Sequence, residues 1–185
     1  ATQSTCQAKY WNNGTGWSEV VAHLKSLGYR VLCIDLHAHY GQGFVWNHIP
    51  WGAEDFTGKI PLQERVNLLH HASFFIGLSS GLSWLAWATH IPVVLISGFT
   101  LPVSEFYTPW RIFSSHGCNG CWDDTSLNFD HKDFLWCPRH KNTPRQFECT
   151  RLITGKQVNG VIDKLHASLA EQSSIGMNHS RWSNE

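Results

Sequence analysis

No apolar run in this 185-residue chain approaches the roughly 20 residues that a membrane-crossing helix needs, which excludes such a helix. Neither sign of charge is in excess: fourteen Lys and Arg balance fourteen Asp and Glu. Bulk attraction to nucleic acid or to an anionic membrane is therefore not the basis of function, and local sites must carry it. Ala1 to Trp11 is polar and lacks the apolar stretch of a secretory signal, so the cysteines are expected to stay reduced. Among twelve histidines there is no HExxH or comparable ligand spacing. His70 and His71 close an expected helix, where a cation complements the dipole, and His37 and His39 fall in a loop; none is assigned a chemical role.

What is present suits a single α/β domain over residues 1–171. Forty-two per cent of the chain is hydrophobic, enough for a real core, and ten Trp with ten Phe point to aromatic packing or a large interface. Val20, Val21, Leu24 and Leu27 share a helical face, Gly28 suits the position after the helix, and Arg30 to Ile34 follows as a short apolar strand. A loop rich in Gly and His leads to Pro61, which starts a helix through Leu62, Val66 and Leu69. Strands are expected at Ser73 to Gly77, Val93 to Ile96 and Arg111 to Ser114, with a helix from Leu82 to Thr89. Strands this apolar, alternating with helices, predict a parallel sheet covered on both faces. Thr154 and Gln157 form a capping box before the amphipathic series Val158, Val161, Ile162, Leu165 and Leu169. Residues 172–185 are polar and expected to be disordered. Ala1 to Ser4 reads as the tail of a strand, implying a segment upstream.

The most telling stretch is Ser73 to Ala88, SFFIGLSSGLSWLAWA. An apolar strand breaks at Ser79, Ser80 and Gly81, and a helix begins at once with Leu82 and Ser83. At the carboxyl end of a parallel strand, such a turn points free amides and the helix dipole at a prospective phosphate. An ordinary strand-to-helix turn with a serine cap would look the same.

Cys118, Cys121, Cys137 and Cys149 form a second constellation. The first two make a CxxC knuckle, and four thiolates suit a closed tetrahedral zinc or iron site that would staple residues 117–149, a segment with little periodicity of its own. Disulfides are the main competitor, and a redox CxxC the weaker one. Cys6 and Cys33 read as small buried residues.

Several of these motifs together resemble a known family. Ser4-Thr5 before Lys9-Tyr10-Trp11, Trp51-Gly52-Ala53-Glu54, and Phe75 to Trp84 occur in the order seen in the donor-binding half of glycosyltransferase family 9 heptosyltransferases. With the four cysteines added, the chain is similar to the carboxyl-terminal part of autotransporter heptosyltransferases over Ala1 to Leu169. That resemblance implies a Rossmann-like, parallel-sheet half of a GT-B enzyme of the bacterial cytoplasm. Such an enzyme takes heptose from an ADP-heptose donor and places it on serines of an autotransporter adhesin.

It also implies roles for particular residues. Thr5 and Lys9 match positions that contact donor phosphate, and Ser79-Ser80-Gly81 matches an Asp-Thr-Gly turn, with Ser79 in place of the acid and Trp84 in place of a histidine. Leu82 and Ser83 continue that turn. Glu54 matches the acidic residue near the ribose, and Asp35 and Gln3 are further candidates by position. The family's cysteine cluster holds one iron ion (Fe3+) per chain, for which zinc is the alternative, and its subunits form a homo-oligomer of twelve. Transfer is an inverting displacement whose base lies in the amino-terminal half, so no catalytic residue is expected in this chain. The alternatives are a non-catalytic, metal-stapled oligomerisation module and a fragment of a lipopolysaccharide-type heptosyltransferase.

Overall fold

Short β-branched runs separated by amphipathic helices settle into layers in the computed structural model, which describes residues 1–43 and 45–181, with side chains through residue 174. A 3-10 turn at Gln7–Lys9 leads into α1 (Gly16–Ser26), β1 (Leu32–Cys33), β2 (His39–Gln42), β3 (Val45–His48), β4 (Glu54–Asp55) and α2 (Leu62–His70). The chain continues through β5 (Phe75–Leu78), α3 (Gly81–Ala88), β6 (Val93–Ile96), β7 (Arg111–Ile112), α4 (Glu148–Arg151) and α5 (Gly155–Arg181).

Strands β5, β6 and β7 form a parallel sheet in that order, and β1 pairs in parallel with β4. The all-apolar sequence of β6 follows from its central place. Val94 and Ile96 face a core with Val20, Leu24, Val158, Ile162 and Leu165 from α1 and α5. Val93 and Leu95 face the opposite core with Leu69 and Ala86 from α2 and α3. Period-2 side chains thus feed two helical layers, and each buried Val, Leu or Ile contributes roughly 1.5–3 kcal/mol. Between β1 and β5 lies a cavity of about 520 Å³ lined by apolar residues such as Val20, Leu24, Leu32 and Phe75. The Ala1 nitrogen donates to the Ile76 carbonyl at 2.8 Å across one end of it.

The helix ends behave as their residues predict. Gly28 has φ +86°, a left-handed conformation that glycine adopts without strain, and the Tyr29 N–H returns to the Leu24 carbonyl at 3.0 Å. Thr154 and Gln157 exchange capping bonds, with the Thr154 N–H donating to Gln157 Oε1 at 2.8 Å and the Gln157 N–H to Thr154 Oγ1 at 3.2 Å.

Two differences stand out. The Gly- and His-rich loop contains an antiparallel hairpin, with His39 opposite His48 and Gly41 opposite Trp46. Its residues lack the alternating apolar pattern that marks a strand, so cross-strand pairing alone organises it. Helix α5 also runs to Arg181, past the point where disorder is expected, because extending an existing helix is far easier than nucleating one. Residues 182–185 lie outside the described residues.

Candidate functional site

Because β5 and β6 are parallel with Leu78 opposite Ile96, the turns that follow them leave the sheet at the same edge. The first is Ser79-Ser80-Gly81. Ser80 takes the extended backbone of an N-cap (φ −147°, ψ 169°), yet its side chain makes no capping bond, and its Oγ is buried without a hydrogen-bond partner. The Gly81 and Leu82 amides therefore keep their donors, in the field of the helix dipole, while the Ser83 N–H is bonded to the Ser80 carbonyl at 3.1 Å. Gly81 is exposed, with no atom within 4 Å of where a Cβ would stand, so a ligand can reach the backbone there. Leu82 packs partly buried against the α2–α3 core and fixes how the helix starts.

Ser83 has a different job. It is fully buried and its hydroxyl donates to the Leu78 carbonyl at 2.5 Å, locking strand to helix. Gly77 lets it approach, since a Cβ there would lie 2.6 Å from Ser83 Oγ.

The second turn, Ser97 to Glu105, is held by a buried ion pair. Glu105, whose side chain is 1% exposed, accepts from Arg111 Nε at 2.6 Å, and from the Ser97 and Thr100 hydroxyls at 2.5 and 2.6 Å. Phe99 projects from this turn, buried, and Lys9 lies over it. The Lys9 Nζ is 5.8 Å from the Phe99 ring centroid and 4.9 Å from that of Trp122. No carboxylate pairs with Lys9 among the described residues. Thr5, three residues before Ala8, is exposed, and its hydroxyl makes no hydrogen bond among the described residues.

Three of the residues expected to contact a ligand are otherwise engaged. Asp35 is buried and accepts from the Thr2 N–H at 2.7 Å, the Thr2 hydroxyl at 2.9 Å and the Gln3 N–H at 3.2 Å. It pins the opening segment to the end of β1. The Gln3 side chain donates to the His37 carbonyl at 2.6 Å. Glu54 forms a two-pronged pair with Arg30 at 2.7 and 2.6 Å, which holds its carboxyl below the usual carboxylate range. Like Ser83, each of these polar side chains has an internal hydrogen-bond partner. Thr5, Lys9, Ser79 and Ser80 have no side-chain hydrogen-bond partner among the described residues, and Gly81 is exposed.

The four cysteines of the second constellation gather in one place. A hydrogen bond shared between Cys118 and Cys149 pulls the Cys118 thiol down to about 7 and drives Cys149 the other way, while burial pushes Cys121 up to about 11. The charges of Cys118, Cys121 and Cys137 all act on Cys149. Thiols are soft donors of the kind that suits iron or zinc. His140 and Glu148 also approach Cys118, within 4.8 Å. The Glu148 carboxylate, however, accepts two Arg145 bonds at 2.8 and 2.6 Å and the Cys118 N–H at 3.0 Å, which marks it as an outer partner.

The cysteine segment docks onto the sheet edge: the Gly120 N–H donates to the Gly98 carbonyl at 2.9 Å and the Trp122 N–H to the Phe99 carbonyl at 3.1 Å. A Cβ on Gly98 would stand 2.4 Å from the Cys149 carbonyl oxygen, so only glycine allows this contact. Phe99, Trp122, Glu105 and Arg145 carry no local signal that sets them apart from other residues of their type.

A strand-to-helix turn with an exposed glycine at a parallel-sheet edge and a cysteine-bearing segment docked beside it define an α/β class, and comparison with known proteins identifies the family. Glycosyltransferase family 9 (heptosyltransferase) matches residues 1–119, and the chain belongs to that family. It is 90% identical over 172 residues to an autotransporter heptosyltransferase of Citrobacter rodentium, covering 93% of this chain and 42% of that protein. It is 89% identical to autotransporter heptosyltransferase TibC of Escherichia coli, with the same coverage. Against the crystal structure of dodecameric, iron-containing TibC in complex with ADP-D-beta-D-heptose, the TM-score is 0.89 at 89% identity, over 91% of this chain and 44% of that one. An inactive autotransporter heptosyltransferase, BimC of Burkholderia thailandensis, is 44% identical over 162 residues. The chain thus spans less than half the length of the relatives it matches.

Proposed function

We propose that this chain is the donor-binding part of an autotransporter heptosyltransferase. It holds the diphosphate of ADP-heptose at the start of α3, while a carboxylate base outside this chain removes the proton from an adhesin serine. The observation that carries this reading is the Ser80 turn, with its buried hydroxyl lacking a partner, open Gly81 and uncapped helix amides at a parallel-sheet edge. Lys9, with no carboxylate partner among the described residues, supplies a positive charge, and the Ser79 and Thr5 hydroxyls add donors. As the bond to the sugar breaks, negative charge grows on the departing diphosphate, and fixed N–H groups and a cation stabilise it there.

The family's description as heptosyltransferases, and the ADP-heptose bound by a relative 89% identical, support the substrate class. Calorimetry tests it. ADP-heptose and ADP should both bind the chain, and an absence of heat at millimolar ligand would overturn the reading.

Cys118, Cys121, Cys137 and Cys149 are the residues that would hold a metal ion, iron by similarity to iron-containing TibC and zinc as the alternative. Such an ion would supply cross-linking of loops, since four thiolates leave no coordination position open to substrate. Metal analysis of protein purified without added ions should find about one ion per chain. Assembly into a ring of twelve and a cytoplasmic location, where ADP-sugars are available, complete the proposal. Among the described residues no helix is long and apolar enough to cross a membrane.

The resemblance to an inactive relative favours one second reading, a non-catalytic assembly module. That module would form oligomers without nucleotide affinity, and the same calorimetry separates the two.

A further inference from the structure

We infer that Trp122 is a positioning residue for Lys9, seating its ammonium at the edge of the sheet and so linking the cysteine segment to the diphosphate site. This deepens the donor-binding reading and rests on it. Lys9 ends the 3-10 turn Gln7–Lys9, whose other residues Gln7 and Ala8 are buried. Its backbone is therefore fixed, but its four-carbon side chain is free to sweep a wide arc unless something holds the head. Among the described residues no carboxylate does. Two aromatic faces do instead, Trp122 at 4.9 Å and Phe99 at 5.8 Å, and an indole is the best such partner for a cation.

The seat is itself rigid. Phe99 is buried and packs edge-on to Trp136 at 5.8 Å, and Phe129 touches Phe99, Trp122 and Trp136. Trp122 is 44% exposed, so core filling does not account for its size. Its backbone N–H is bonded to Phe99, and its neighbour is Cys121, so whatever orders the cysteines orders the indole. An aromatic seat suits a lysine that must bind phosphate better than a carboxylate would. It orients the ammonium without neutralising it, leaving its three N–H donors for the incoming anion.

The test has two arms. In the first, NMR of the ligand-free protein reads the Lys9 ε-methylene protons, which should be shifted upfield by the ring current of Trp122. The shift should fall in Trp122→Leu to the smaller part that Phe99 supplies, and fall less in Trp122→Phe. Lys9 shifts that are the same in wild type and Trp122→Leu would overturn the positioning claim whether or not ADP binds. In the second arm, calorimetry with ADP should find Trp122→Leu weaker by about three- to tenfold, the range expected for loss of one cation–π contact. Metal content and folded yield serve as controls. The same substitution in a Lys9→Met background should then have no further effect on ADP affinity. An equal loss in both backgrounds would mean that Trp122 acts through general structure, and the inference fails. If wild-type protein shows the upfield shift but binds no ADP, the donor-site reading fails instead.

Discussion

Replacing Arg111 by Met should expose how much the second turn depends on one buried ion pair. In the native protein Glu105 is shielded from water and satisfied by Arg111, Ser97 and Thr100, while Arg111 also donates to the Thr100 carbonyl at 3.1 Å. Removing the guanidinium leaves a buried carboxylate with two hydroxyl donors and no counter-charge. Breaking a buried pair from one side costs about 3–5 kcal/mol. For a domain of this size each kcal/mol moves Tm by about 2–4 °C, so Arg111→Met should lower Tm by about 6–20 °C. The double variant Glu105→Leu with Arg111→Met removes both charges and should be more stable than Arg111→Met alone, although Ser97 and Thr100 lose an acceptor and keep it below wild type. Differential scanning calorimetry of the two single variants and the double gives the coupling directly. A loss under about 1 kcal/mol in Arg111→Met, or a double variant worse than the sum of the singles, would refute the reasoning. Because the turn carries Phe99, the floor beneath Lys9, ADP affinity should fall in the same variant.

Ser83→Ala removes the bond to the Leu78 carbonyl and should cost about 1–2 kcal/mol of stability with ADP affinity unchanged, whereas a donor contact would show the reverse pattern in calorimetry. Cys137→Ala should leave a three-thiolate site, with lower metal content and folded yield by elemental analysis; normal values would count against the metal staple. Asp124 is held down at about 2 by bonds from Ser126 and Arg139. Its folded value lies below the ordinary carboxylate range, so its contribution is present above about pH 4 and is lost as pH falls toward 2. An NMR titration of its carboxyl should give that midpoint, and Arg139→Gln should raise it. Thiol labelling of metal-free protein at pH 7 should favour Cys118, whose value of about 7 leaves much thiolate, over Cys33, which burial pushes up to about 11.

The parts of the molecule that sequence determines are those whose causes are local. A continuous apolar, β-branched run placed β6 at Val93 to Ile96, Gly28 marked the end of α1, the Thr154 and Gln157 pair began α5, and the break at Ser79 to Gly81 marked the strand-to-helix turn. Each follows from preferences acting within a few residues. Tertiary structure decided which polar side chains remain free. Ser80 and Ser83 look alike in sequence, but the hydroxyl of Ser80, at the N-cap, is buried without a partner, and that of Ser83, in the helix, is bonded to the Leu78 carbonyl. Asp35 is satisfied by Thr2 and Gln3, more than 30 positions away, and Glu54 by Arg30 across the β1–β4 rung. Trp122 reaches Lys9 from 113 residues further along the chain. A hydrogen bond or an aromatic contact is set by distance in space, and distance along the chain does not predict it once the sheet has folded those segments together.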